Sequence, residues 1–278
     1  MTGGLSASFK VLFPRYQISP LPYGAVSEAD FTEITADADV IVHSGPPSMI
    51  PERSSDRTVT FPELYFNAFH PDQVYAWMPD RSLVEGATGP YNSAIVLWAW
   101  QNGLSTTETI DLFQPAVMQA LGYHDRWSVS VNRLRHDFES FPHLDYRDFI
   151  DPLRCSGCFM HTVNHPKVSA IARMARLLAL QIDPNVECES IPLEDLLVDS
   201  LFNASFAWAM YPSVANSLGL TSEYRWKRED HSVIGLEEFV IKSFDRYDTQ
   251  QPRDIDCHEL KWPIYDQVLS DVIQGGAR

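Results

Sequence analysis

The chain has 278 residues, 45% of them hydrophobic, which is enough to bury one large core or two small ones, and no stretch has the composition of a disordered segment. Its formal net charge of −16 opposes a phosphate backbone, so nucleic acid is not an expected partner and an anionic ligand must be held locally by a few cations and backbone amides. The longest apolar run, Ala94 to Trp100, falls far short of the roughly 18 residues that a membrane-spanning helix needs.

Met1 to Gln17 lacks a charged n-region followed by an apolar core and a cleavage site, so the expectation is a cytoplasmic protein. Four cysteines are too few for a disulfide-dense scaffold, and reduced thiols are expected.

Strand-like runs occupy Phe9 to Phe13, Asp39 to His43 and Thr58 to Phe61, with polar, Pro-punctuated connections, so the front third reads as α/β material. From Gly89 onward helices dominate. Pro90 suits a first helical position, the run Tyr91 to Gln101 follows, and Gly103 fits the stop. Ser105 and Glu108 form a capping-box pattern, opening a helix that Gly122 would close.

A helix over Arg126 to Glu139 is expected next. Cys158 to Val163 reads as a strand, Asn164-His165-Pro166 as a turn, and Val168 to Leu180 as a helix. Leu193 to Phe202, Ser213 to Leu218 and Leu236 to Tyr247 read as helices, with Tyr224 to Lys227 a strand. The predicted class is therefore α/β, predominantly helical with a small N-terminal sheet. With no repeat and no linker, one domain over 1–278 is expected, its natural subdivision being an α/β part, 1–88, and a mainly helical part, 89–278.

The densest reactive cluster is C-S-G-C-F-M-H-T-V-N-H-P-K, Cys155 to Lys167. As a zinc site, C-x2-C-x2-H-x3-H puts all four ligands in one continuous stretch, where structural sites draw two pairs from separated arms, so no metal is assigned. As a redox pair, Cys155 and Cys158 lack the helix that should begin at the first cysteine. As a ligand site, Asn164 caps and Pro166 enters the first turn of a helix whose free amides favour an anion. Lys167 adds a charge, and His161 and His165 orient a ligand or move a proton. The plain alternative is a cap and two structural histidines.

In F-N-A-F-H-P-D, His70 and Asp72 follow the strand near Phe61, and a histidine held against a carboxylate is the usual form of an oriented base; capping is the alternative role. G-P-Y-N-S supplies a second helix start, with Tyr91, Asn92 and Ser93 in its first turn beside free amides that suit a phosphate or carbonyl ligand. Trp98, Trp100 and Trp127 are expected in the core.

F-P-E-L-Y-F-N-A-F-H-P-D from Phe61, G-P-Y-N-S-A from Gly89, G-L-S-x-x-E-T-x-x-L-F from Gly103, L-G-Y from Leu121, G-C-F-M-H-T-V-N-H-P-K from Gly157, W-A-M-Y-P-S-V-A-N-S-L-G-L from Trp208 and L-E-E-F-V from Leu236 stand in the order of the blocks of the WcbI-type capsular polysaccharide biosynthesis family, which the chain resembles from Phe61 to Tyr247. The resemblance implies binding of coenzyme A or acetyl-CoA and acetyl transfer to a sugar hydroxyl of a capsular polysaccharide or its precursor. The partners would be an acyl-CoA and a glycan acceptor.

The family's opening G-N-C-Q-like turn, with a candidate catalytic thiol, has no counterpart before Phe61, and the first cysteine here is Cys155. A shortened start, direct transfer without a thiol, and binding without turnover each accommodate this. On the direct route His70 or His165 is the general base and Asp72 orients an imidazole, while Tyr91, Asn92, Ser93, His161, Asn164 and Lys167 hold the cofactor. The alternatives are a coenzyme A or sugar-nucleotide binder that has lost its thiol, and a hydrolase using Cys158 with His161 or His165.

Overall fold

The structure, a computed structural model, describes residues 1–21, 28–45, 58–204 and 206–276. The elements begin with α1 (Thr2–Leu12), α2 (Glu28–Thr35), β1 (Ile41–Ser44), β2 (Thr58–Phe61), β3 (Gln73–Val74) and β4 (Asn92–Ser93). Then come α3 (Ala94–Gln101), α4 (Thr106–Asp111), α5 (Pro115–Ala120), α6 (Arg126–Glu139), α7 (Tyr146–Arg154), β5 (Met160–Thr162), β6 (His165–Pro166) and α8 (Val168–Ile182). The chain continues through α9 (Leu193–Leu196), α10 (Ser200–Ala204), α11 (Pro212–Ser217), β7 (Trp226–Lys227), β8 (Val233–Ile234), α12 (Leu236–Tyr247) and α13 (Pro263–Gly276).

The class is predominantly helical α/β, as expected. Among the described residues the strand content is spread over four two-stranded sheets instead of being gathered at the N-terminus. β1 and β2 pair in parallel, in the register Ile41 with Thr58 to Ser44 with Phe61. Among the described residues no helix is long and apolar enough to cross a membrane.

Two compact units divide the chain. The first comprises Met1–Phe66, Val131–Met160 and Asn164–Leu201; the second comprises Asn67–Ser130, His161–Val163 and Phe202–Arg278.

In unit 1, the run expected as a strand at Phe9 to Phe13 is instead the end of α1, which buries Leu5, Phe9 and Leu12 at helical spacing. The helix packs against α8, and Gly4 makes the approach close: a Cβ there would lie 2.9 Å from Ile171 Cδ1. α8 starts as expected near Val168, but its N-cap is Lys167, whose side chain makes no capping bond. Pro166 lies in β6 and Asn164 sits earlier still, exposed in the turn, so neither belongs to the first helical turn. The strand explains this: the Lys167 amide donates to Phe159 O at 2.8 Å, which keeps the backbone extended up to the cap. Arg176, 7% exposed, donates to Glu194 at 2.6 and 2.7 Å and to Ile191 O at 2.8 Å, holding the segment after α8.

In unit 2, α3 is apolar all round, and every residue from Ala94 to Trp100 is buried, which marks a core helix with no solvent face. Ile95, Val96 and Leu97, each 0% exposed, contribute roughly 1.5–3 kcal/mol apiece by leaving water. The expected core placement holds for Trp98 and Trp100, whose indole N–H groups donate to Asp266 (2.6 Å) and Asp248 (2.7 Å). Trp127 is half-buried, edge-on to Phe69.

The expected start of this helix at Pro90 is corrected to Ala94, because Asn92 and Ser93 pair as β4 with β3 and Ser93 becomes the N-cap. The capping box of Ser105 and Glu108 is present, but the helix it opens ends at Asp111 and α5 begins anew at Pro115. The run from Leu193 is likewise two short helices, α9 and α10, and the strand at Tyr224 to Lys227 shortens to β7.

Candidate functional site

A polar knot in unit 2 forms around Asp72. The segment before it turns twice, with His70 N donating to Asn67 O (3.1 Å) and Gln73 N to His70 O (3.1 Å). β3 then pairs Gln73 with Ser93 and Val74 with Asn92, while Ala94 N donates to Asp72 O at 2.9 Å. These bonds place the Asp72 carboxylate over the first turn of α3, where free amides and the helix dipole favour negative charge.

The carboxylate is wholly buried and fully used. Oδ1 accepts from Tyr123 Oη (2.7 Å) and Ile95 N (3.1 Å); Oδ2 accepts from Tyr211 Oη (2.6 Å) and Ser93 Oγ. Ser93 Oγ in turn accepts from Val96 N at 3.1 Å, and Tyr265 Oη lies 3.1 Å from Tyr123 Oη.

Burial raises the Asp72 pKa and the four donors lower it; burial wins, and the group is pushed up to about 6. Burial, with the Asp72 charge beside them, holds the Tyr123 and Tyr211 phenols well above their ordinary range, so both remain donors.

A carboxylate has about four lone-pair sites, and these four donors fill them. Asp72 therefore does not orient an imidazole, which corrects the role expected for it. His70, 2% exposed, sets its Nδ1 3.4 Å from Ala209 O. A carbonyl only accepts, so Nδ1 carries the proton in this contact and Nε2 is the basic nitrogen.

The same unit holds buried N–H donors with no hydrogen-bond partner among the described residues. Gln73 spends its Oε1 on Val163 N (2.9 Å), but its Nε2 has none; nor do the indole nitrogens of Trp208, which precedes Ala209, and Trp226. Native interiors satisfy nearly all such groups, so each is a candidate for a ligand acceptor.

The other expected site residues divide between the units. In unit 2, Tyr91 is 4% exposed and packs its ring near Tyr75 and Phe206. Asn92 donates to Val84 O (2.9 Å) and accepts from Tyr247 Oη (2.7 Å). Asn92 and Ser93, both 0% exposed, are thus bonded within the unit. His161 is 6% exposed with its ring 5.3 Å from Phe202, and its carbonyl accepts from Trp208 N at 2.7 Å. Over the same Phe202 ring, 5.1 Å away, lies the ammonium of Lys227, a buried cation that no local sequence pattern marked.

In unit 1, Asn164 is exposed, and His165 and Lys167 are half-buried. Lys167 lies beside the Cys158 thiol. Burial pushes that thiol up and Lys167 only partly offsets it, so Cys158 is not primed as a thiolate. Cys158 Sγ donates to Met160 O at 3.1 Å, and all four cysteines are free. Among the described residues no three His, Cys, Asp or Glu side chains gather as a metal site.

The profile of the family described as polysaccharide biosynthesis enzyme WcbI matches residues 48–187, half of the chain. No curated protein matches. A solved structure of WcbI, described as a polysaccharide biosynthesis enzyme, native and without a disulfide bond between coenzyme A and a cysteine, superposes with a TM-score of 0.63. That likeness covers 89% of this chain and 83% of the other at 14% identity, and it speaks for the fold. With the family profile spanning half of its residues, the chain belongs to the WcbI family of polysaccharide biosynthesis enzymes.

Proposed function

We propose that the chain transfers an acyl group, acetyl in the simplest case, from a coenzyme A thioester to a sugar hydroxyl during polysaccharide assembly. The observation that carries this reading is His70, whose Nδ1 faces a backbone carbonyl so that Nε2 is the base, with unpartnered N–H donors on Gln73, three residues along, and on Trp208, the neighbour of the Ala209 that His70 faces. His70 Nε2 takes the proton of the acceptor hydroxyl, and the oxygen attacks the thioester carbonyl carbon. The N–H donors meet the negative oxygen of the tetrahedral intermediate. The C–S bond then breaks, and the leaving sulfur receives the proton from His70.

Asp72 acts here by position. Its four hydrogen bonds fix the segment 70–73 to the start of α3, and His70 with it. Taken by itself, unit 1 carries a half-buried cation, Lys167, that suits an anionic group which the chain's overall charge would otherwise repel. The WcbI structure described with reference to coenzyme A supports that choice of cofactor. The raised Cys158 thiol speaks against a cysteine hydrolase.

The test pairs calorimetric titration of coenzyme A with thiol release from acetyl-CoA in the presence of glycan acceptors. His70→Asn should bind coenzyme A within about twofold of wild type and lose thiol release by a factor on the order of 10² or more. Neither heat nor a thermal shift at millimolar coenzyme A would remove the cofactor assignment. Heat without thiol release across acceptors would leave a binding protein.

A further inference from the structure

We propose that an open cleft lying wholly within unit 1 is a saccharide-binding subsite, separate from the His70 and Asp72 residues of unit 2. The cleft, about 510 Å³, lies among the C-terminal part of α6, the loop to α7, the start of α7 and the C-terminal part of α8. Its size falls in the range of small-ligand sites, roughly 300–1,000 Å³.

The floor is apolar. Phe138, Leu144 and Leu177 are each buried, and the Tyr146 ring stands edge-on to Phe138 with centroids 5.8 Å apart. Such a floor suits the C–H face of a pyranose ring.

The walls offer hydrogen-bonding groups that the protein leaves unused. The Tyr146 hydroxyl is not one of them: it is out of contact with solvent and beside Arg154, so Tyr146 offers the cleft its ring. The Asp148 carboxylate and the Gln181 amide, both exposed, make no side-chain hydrogen bond among the described residues. A carboxylate that accepts from paired hydroxyls and an amide that both donates and accepts match a polyol.

Charge narrows the ligand class further. Glu139, Asp145 and Asp148 line the cleft against one arginine, Arg135, so a phosphate or carboxylate is repelled and a neutral sugar is preferred. This inference draws on the family's role in polysaccharide assembly, but it does not depend on coenzyme A or on His70.

The probes are glucose, galactose, mannose, maltose and lactose at millimolar concentration, followed by saturation-transfer NMR and calorimetry on the full chain. At least one should bind, through its ring protons. Asp148→Asn and Gln181→Ala, exposed positions that leave the melting temperature in place, should each weaken it about five- to tenfold, as should Tyr146→Ala, which removes the ring from the floor. The coenzyme A titration should be unchanged in all three variants, which separates failure of this proposal from failure of the cofactor assignment. Absence of transfer from every neutral sugar, binding undiminished in the three variants, or tighter binding of glucose 6-phosphate than of glucose in this cleft would overturn it.

Discussion

Replacing Asp72 with asparagine keeps the shape of the side chain and removes its charge, and the consequence depends on pH in a direction the structure fixes. With the asparagine oxygen at the Oδ1 position, Tyr123 and Ile95 keep their acceptor, while Ser93 and Tyr211 face an amide donor. Two buried hydroxyl protons are then stranded at about 1–3 kcal/mol each, offset in part because the amide costs less to bury than a carboxylate, so a net loss of about 2–4 kcal/mol is expected at pH 7.

The wild-type carboxyl is pushed up to about 6 when folded, against 3.8 ordinarily. Its contribution is therefore fully present below pH 3.8 and is lost as pH rises through 6, because the folded state binds the proton more tightly. Between pH 5 and pH 7 the advantage of wild type over Asp72→Asn should shrink by roughly 1.3 kcal/mol. All seven tryptophans lie in unit 2, so urea titration followed by tryptophan fluorescence reports the unit that holds the carboxylate. A difference that is the same at both pH values, or larger at pH 7, would show that the four donors outweigh burial and that the reasoning is wrong.

Arg176→Ala removes the buried cation that Glu194 and Ile191 O accept from, and should destabilise unit 1 by about 2–3 kcal/mol and speed proteolysis between Asp183 and Leu196; Arg176→Lys, lacking the fork, should not restore resistance. Gly89→Ala should cost about 1–3 kcal/mol in a fluorescence-monitored melt, since φ is +66° and the new Cβ would lie 2.6 Å from Phe206 Cζ. Phe206→Ala in the same chain should recover only the steric part. In timed alkylation at pH 7 read by mass spectrometry, exposed Cys155 should react before Cys158, whose thiol burial holds up; equal rates would contradict the environment described for Cys158.

Local chemistry was legible where it is self-contained. The capping box of Ser105 and Glu108, the full span Arg126 to Glu139 and the helix from Leu236 could be read because cap, period and stop lie within a few turns. α1 was misread because a short apolar run ending Phe9 to Phe13 suits a strand or a buried helix equally, and Gly3 and Gly4 argue against a helix until the close approach of Ile171 is seen.

The same limit applied to the site. Asp72 stood out as a polar residue in an apolar block, yet its phenol donors arrive from Tyr123 and Tyr211, far along the chain. Both lie in segments that carried the family resemblance, L-G-Y and W-A-M-Y-P-S, and a tyrosine recurring in such segments was the signal available. Nothing local says that two phenols and a serine will fill the lone pairs of one carboxylate and leave none for His70.

The interleaving of the two units also sets a timetable for biosynthesis. Every segment of unit 1 has been made once Leu201 is added, whereas unit 2 waits for Phe202 onward. At roughly 5–20 residues per second, Tyr265 is synthesised about 10–40 seconds after Asp72. From the completion of α3 at Gln101 to the start of α12 at Leu236, about 7–27 seconds at that rate, α3, apolar on every side, stands without the helix that packs on it. The nascent chain thus carries a naked core helix, a target for chaperones and a seed for aggregation, long before the polar knot that anchors that helix can close.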